Sequence, residues 1–222
     1  SVNLEGSAND IGFNVGVFFK PTDKLSLGID YRSEIVMAVE DGNATFTVPS
    51  SLQGSIPAEN TFSAELPMPA NLDFGLAFKF NEKLTLAASV NWVMWETYDS
   101  LKFTFEEQSD LLSSSSPRLY SDSWISRIGA QYQLNETFTF RAGVYYDPSP
   151  TNEDYFSPET VSLNTLAFTL GMSIRPAEGL SIDLSYLQLN GLEAEKSYKP
   201  ENFSGTYKTL TAIPGIGISY SF

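Results

Sequence analysis

The 222-residue sequence contains no cysteine and no histidine. Without cysteine there is no disulfide framework, no thiolate metal site and no thiol nucleophile. Without histidine the chain lacks the side chain that titrates near neutrality and most often ligates metals. Ser-His-Asp hydrolysis, zinc peptidase chemistry and His-dependent phospholipase chemistry are therefore excluded within it. Basic residues are scarce, 13 Lys+Arg against 27 Asp+Glu for a formal charge of −14. A nucleic-acid partner is not expected, because phosphates require a basic face. No run approaches the ~18 apolar residues of a membrane-spanning helix. Ser1–Asp10 has no basic start, apolar stretch or small-residue cleavage site, so it does not read as a signal peptide. Any membrane crossing must be made by strands.

What is present is apolar bulk: aromatics make up 14% and charged residues only 18%, a composition that opposes disorder. The apolar residues recur with period two, the strand signature. Leu72, Phe74, Leu76, Phe78 and Phe80 alternate with Asn71, Asp73, Gly75, Ala77 and Lys79. Similar alternation begins at Phe13, Leu25, Leu84, Trp124, Phe138, Leu166, Leu180 and Leu210. About nine strands result, most near the ~9–11 residues that a tilted membrane-crossing strand requires. One face of each is aliphatic with aromatics toward the ends, and the other is small or polar. The spacing predicts an all-β fold, an antiparallel transmembrane β-barrel. A β-sandwich, which buries its apolar face against a second sheet, also alternates and is the competing architecture.

Connection lengths favour the barrel. Pro21–Lys24, Asn81–Lys83, Asn135–Thr137 and Ala177–Gly179 are tight turns, and between them lie long connections at Ala38–Thr61, Gln108–Ser121, Ser149–Val161 and Leu192–Ser204. Strict alternation of short and long is the asymmetry of an outer-membrane barrel. Acidic residues collect in the long connections (among them Glu40, Asp41, Glu106, Glu107, Glu153 and Glu159). They are either a solvated loop surface or groups that bridge to lipopolysaccharide through divalent cations. An odd strand count cannot close an antiparallel barrel, so further strands are expected before Ser1.

Certain stretches resemble a known family. Gly12–Val17 followed by Leu25–Ser33, the Arg141–Pro150 stretch RAGVYYDPSP, Trp92–Trp95 and the terminal Ile216–Phe222 are similar to FadL-type outer-membrane long-chain fatty-acid and hydrocarbon transporters. The resemblance implies a fourteen-stranded barrel plugged by an N-terminal hatch, located in the outer membrane of a Gram-negative bacterium. It implies that residues 1–222 are the C-terminal part of that barrel, without the plug and first strands. It also implies that Tyr220 and Phe222 form the signal read by the barrel-insertion machinery.

Two constellations are candidate sites. The longest connection is unusually apolar, carrying Phe46, Val48, Leu52 and Ile56 with Phe62 and Leu66 beyond. In family order it resembles one of two external loops forming a hydrophobic groove; the alternative is that these side chains pack a β-hairpin cap. On the lumen face, Arg127, Arg141 and Tyr145 are ligand candidates, since a guanidinium fork matches a carboxylate. The alternative for Asp30, Arg32, Glu34, Asp73, Lys79, Arg127, Arg141, Arg175 and Asp183 is an internal ion-pair network that fixes register. Bulky inward residues (Phe18, Val93, Trp95, Ile125, Tyr145, Leu187, Leu189 and Ile213) oppose a wide polar porin.

The expected function is passive outer-membrane transport of long-chain fatty acids or similar hydrophobic small molecules. The alternative is a FadL-like accessory or scaffold barrel that binds a partner protein, for instance in surface-protein secretion. Neither enzyme activity, metal nor cofactor is expected. The expected partners are a hydrophobic small molecule, outer-membrane lipid with lipopolysaccharide, and the insertion machinery.

Overall fold

The structure is a computed structural model. It describes the backbone of residues 1–222 and every side chain except that of Glu159, so the expectation for Glu159 lies outside the described residues. The strands are β1 (Val2–Glu5), β2 (Asn14–Phe19), β3 (Leu25–Arg32), β4 (Ile35–Phe46), β5 (Glu59–Met68), β6 (Asn71–Lys79) and β7 (Leu84–Val93). They continue as β8 (Ser100–Phe105), β9 (Ser114–Pro117), β10 (Ser123–Gln133), β11 (Phe138–Asp147), β12 (Thr165–Ala177), β13 (Leu180–Tyr198) and β14 (Phe203–Tyr220). One α-helical turn, α1 (Ser109–Leu112), and three single 3-10 turns interrupt them.

Nine strands form a single antiparallel wall in the order β14-β13-β12-β11-β10-β7-β6-β3-β2. Its register keeps like with like: Leu76 lies opposite Ala88, Trp92 opposite Trp124, Val144 opposite Phe168 and Leu184 opposite Ile216. A one-residue slip would turn every aliphatic side chain to the opposite face, so the stripe itself specifies the pairing. Those stripes remain bare: Ile128, Leu170 and Ile216 are 60%, 61% and 73% exposed. No second sheet packs across them among the described residues, which removes the sandwich. The expected count of about nine alternating strands is the count in this wall.

The other five strands form a second sheet, β1-β4-β5-β8-β9, inserted at the long-connection end of the wall. Its core is Ala44, Phe62 and Phe105, with Val39, Phe46, Ala64, Phe103 and Leu112 packed around it. The Phe46 and Phe62 rings lie 5.6 and 6.1 Å from that of Phe105.

The boundaries of the long connections need correction. Ala38–Thr61 is mostly a hairpin, β4 and β5, and only residues 47–58 connect them. Gln108–Ser121 contains α1 and β9. Leu192–Ser204 is not a loop: β13 and β14 stay paired out to Tyr198 and Phe203. Both misread hairpins carry a bulge, between Val39 and Gly42 and between Gly191 and Ala194. A bulge adds one residue to one strand, so the apolar period changes phase and no longer reads as one strand.

Candidate functional site

On the inner face of the wall the rows of paired residues can be followed from strand to strand. The middle row runs Ser26, Ala77, Ala87, Gly129, Gly143 and Thr169, then meets Leu187 and Ile213. From β3 to β12 this row has nothing larger than threonine. The side chains flanking it, with Gly28, Gly75 and Ser89 above, bound an open hollow of about 820 Å³. An ideal Cβ built at Gly28 or Gly75 meets nothing within 4 Å, whereas one at Gly143 meets Thr169 Oγ1 at 2.8 Å and the Ile128 carbonyl at 3.1 Å. Two further hollows, around Ala130 and Ala142 and around Leu76 and Ala88, open on the aliphatic outer face. Small residues in a lipid-facing stripe leave such depressions for acyl chains to fill.

The three lumen candidates flank the small-residue row. Arg127 and Tyr145 are paired across β10 and β11, with the guanidinium 5.9 Å from the ring centroid, a cation–π contact. Arg141 lies on the other side of the row. Its Nε donates to Gln131 Oε1 at 2.9 Å and its guanidinium donates to Ser173 Oγ at 2.6 Å. The fully buried Ser173 hydroxyl donates in turn to Asp183. Arg141 and Asp183 are thus coupled through a hydroxyl rather than by direct contact. All recorded ion pairs (Lys196–Glu153, Lys199–Asp154 and Lys208–Glu193) lie in the outer hairpin and loops, so a direct ion-pair network does not fill the inner wall among the described residues. Trp95 is not on the wall but in a single 3-10 turn at its outer end.

An aromatic cluster stands at that outer end: the Tyr120 ring lies 5.7 Å from Trp95 and 5.1 Å from Tyr98, edge to face. Beneath it Asn91, Val93 and Ser123 are buried. On the outer surface of the wall Trp92 and Trp124 stack at 5.1 Å, and Trp92 Nε1 donates to Asp122 at 2.9 Å. An amphipathic indole pair is suited to the membrane–water boundary.

The second sheet has one apolar face. Near its tip that face is buried; near the wall it is open. Ile35 pairs with Met68 and Met37 with Leu66, and Leu66 and Met68 are 46% and 53% exposed. The segment before β2 adds Ile11, 93% exposed, and Phe13. It lies flat on β4 because Gly12 presents no Cβ, which would stand 2.7 Å from the Ile35 side chain. Asp10 fastens it, accepting the N–H groups of Ile11 and Val36, both at 2.7 Å. Those two bonds favour the ionised form and hold the Asp10 carboxyl below its ordinary range.

The external-groove candidates therefore divide. Phe46 and Phe62 belong to the packed core of the sheet. Val48 and Ile56 are half-buried and Leu52 exposed in residues 47–58. Of the six, only Leu66 lies in the exposed strip. Met68, exposed beside it, and the half-buried Ile35 and Met37 paired with them were not singled out, although the alternations Ile35-Met37-Val39 and Phe62-Ala64-Leu66-Met68 were visible in the sequence.

The geometry, a wall with a bare aliphatic face, a small-residue inner row and an apolar sheet at one end, has close counterparts. Residues 2–222 match the family described as outer membrane protein transport protein (OMPP1/FadL/TodX). The chain belongs to that family. Similar relatives include outer membrane protein P1 of Haemophilus influenzae, 24% identical over 95% of this chain and 47% of its own length. The long-chain fatty acid transport protein of Escherichia coli K12 is 19% identical over 99% of this chain and 50% of its own length. Among solved structures, a Pseudomonas aeruginosa FadL homologue superposes with a TM-score of 0.78 at 22% identity, covering 94% of this chain and 52% of its own. The Pseudomonas putida toluene transporter TodX gives 0.66 at 25% identity, with 96% and 49% covered. The chain spans about half the length of the curated relatives it matches. The nine-stranded wall is part of an antiparallel transmembrane β-barrel of the Gram-negative outer membrane, and the family is one of transport proteins.

Proposed function

We propose that residues 1–222 are the C-terminal part of a barrel that passively imports long-chain fatty acids or similar hydrophobic small molecules. The carrying observation is that Leu66 and Met68 stand exposed on the second sheet at the outer end of a wall whose inner face is lined by small side chains around a hollow of about 820 Å³. Exposed apolar side chains grouped in this way suit an apolar occupant. A cargo leaving water gains free energy on the strip, roughly 25 cal/mol per Å² of apolar surface covered. It then passes the mouth and moves along an inner row whose small side chains offer little obstruction. The relatives bearing the names of fatty-acid and toluene transporters support an apolar cargo.

On this reading the remaining half of the protein supplies the strands that join β2 to β14 and the plug that controls passage. Tyr220 and Phe222, at the end of β14 and just beyond it, serve as the contact for the insertion machinery. The acidic outer loops face lipopolysaccharide. The test is uptake of a radiolabelled fatty acid by cells carrying the full-length protein with Leu66→Asp and Met68→Asp. Loss of uptake at normal surface levels supports the proposal. Unchanged uptake removes the strip from the path.

A further inference from the structure

On the outer face of the wall, the hollow of about 500 Å³ around Ala130 and Ala142 stands above a junction of two short turns. One row of paired residues explains its shape. Leu86 opposes Ala130, Ala130 opposes Ala142 and Ala142 opposes Leu170, so bulky side chains flank two methyl groups. Tyr132 and Phe140, paired across β10 and β11, close the side nearer the turns, and Tyr186 bounds it on β13. Ala130 stands five residues before Asn135, and Ala142 five after Thr137. At a rise of about 3.3 Å per residue on strands tilted roughly 45°, the floor lies about 12 Å above the turns. Short turns face the periplasm, and the hydrocarbon core is about 30 Å thick. The hollow therefore belongs to the periplasmic leaflet, which is built of glycerophospholipid.

The polar groups at its foot are of both signs. Lys83 reaches from the β6–β7 turn to the β10–β11 turn, its Nζ donating to the Leu134 carbonyl at 3.2 Å. That bond uses one of three ammonium donors, and Lys83 takes part in none of the recorded ion pairs. The same two turns carry Glu82 and Glu136, exposed and likewise outside those pairs. The Leu134 amide donates to the Phe138 carbonyl at 3.0 Å. Both residues stand two positions from an aromatic side chain of the hollow, Tyr132 and Phe140. An acyl chain lying in the hollow thus brings its head group to one cation and two carboxylates.

We propose that this hollow and the two turns bind one glycerophospholipid whose head group ends in a primary ammonium. Lys83 meets the phosphate, Glu82 and Glu136 meet the ammonium, and an acyl chain covers Ala130 and Ala142 between the aromatic side chains. A head group with a phosphate and no cation leaves both carboxylates facing like charge. A trimethylated ammonium keeps its charge but has no N–H to donate in a charge-assisted hydrogen bond. The site lies on the face of the wall turned away from the inner hollow, so it does not rest on the transport reading.

The test uses the full-length protein in detergent micelles, with Lys83→Gln and Ala142→Leu, and counts retained lipid by native mass spectrometry. The probes are phosphatidylethanolamine, phosphatidylcholine and phosphatidylglycerol with the same palmitoyl and oleoyl chains. The unmodified protein is expected to retain one phosphatidylethanolamine about ten-fold more often than either other lipid, the effect of one hydrogen bond to a charged group. Lys83→Gln should weaken retention of phosphatidylethanolamine. Ala142→Leu should lower retention of all three lipids, because the larger side chain occupies the floor. Equal retention of the three lipids by the unmodified protein, or a preference for phosphatidylglycerol, overturns the proposal. So does a phosphatidylethanolamine preference that survives both substitutions undiminished, since the lipid then sits elsewhere. Heat-modifiable gel mobility identifies folded barrel in each sample. Lys83 stands in an exposed turn, so its variant decides the head-group contact even where Ala142→Leu fails to assemble.

Discussion

At the scale of single residues, the inner wall distinguishes glycines that keep a space open from glycines that permit close packing. Gly28 and Gly75 face open space, so leucine at either position fits without displacing a neighbour and projects into the hollow. Gly28→Leu and Gly75→Leu are expected to reach the membrane at normal levels and to slow uptake of apolar cargo several-fold in a whole-cell assay. Gly143→Val is expected to behave oppositely: its side chain collides with Thr169 and the Ile128 carbonyl, and overpacking of this kind costs about 1–3 kcal/mol. A lowered urea midpoint of the folded barrel checks it. Asp10 supplies a pH prediction. Its folded-state pKa is depressed by two backbone N–H bonds, so its contribution is fully present above the unfolded carboxyl's pKa and is lost as pH falls through the folded one. At neutral pH the Ile11 and Val36 amides should exchange hydrogen slowly, with protection lost only below the ordinary carboxylate range. Asp10→Ala should abolish it at every pH.

At the scale of elements, the outer hairpin of β13 and β14 is bound to the connection between β11 and β12. Phe156 is 1% exposed and lies 4.7 Å from the Tyr207 ring, its amide donates to the Ser197 carbonyl at 3.0 Å, and Lys199 and Asp154 pair beside it at 2.5 Å. Phe156→Ala removes the anchor at a cost of about 3–5 kcal/mol. The loop should become cleavable by external protease while the wall stays folded; resistance equal to the parent would show that the backbone bonds suffice. The same elements explain what the sequence disclosed. The wall strands were legible because lipid demands an uninterrupted stripe with period two, and that demand is local to each strand. The capping sheet was not, because the bulge at Glu40 and Asp41 puts Ile35-Met37-Val39 and Gly42-Ala44-Phe46 in opposite phase. The candidate site was legible only in part for a related reason. Alternation assigns Arg141 and Ser173 to the inner face, but their hydrogen bond depends on the register of β11 with β12. The apolar face near the wall joins Gly12 to Ile35 and Ile35 to Met68, residues far apart in sequence that meet only through the close approach at Gly12 and the β4–β5 pairing.

At the scale of the whole molecule, the wall has two unpaired edges, β2 and β14. In water an open edge is merely prone to association; in hydrocarbon each unsatisfied backbone group costs several kcal/mol. About half of the N–H and C=O groups on the membrane-embedded length of β14 point away from β13, so an open wall in a bilayer carries a penalty larger than the whole stability of an ordinary domain. The aliphatic stripe gains nothing that offsets this, since it is satisfied equally by lipid in an open or a closed wall. Residues 1–222 exported alone should therefore fail to give a protease-resistant outer-membrane species whose gel mobility changes on heating. Co-export of the other half of the full-length protein should restore that species, because pairing of the two halves satisfies both edges at once. Deleting Phe222 should lower the yield of the restored species without altering its melting temperature: that side chain lies beyond the last paired residue and is fully exposed, so it acts on delivery and not on the stability of the finished wall. A stable, inserted species formed by residues 1–222 alone would mean that β2 and β14 satisfy each other, within one copy or between copies, and would refute closure by the rest of the protein.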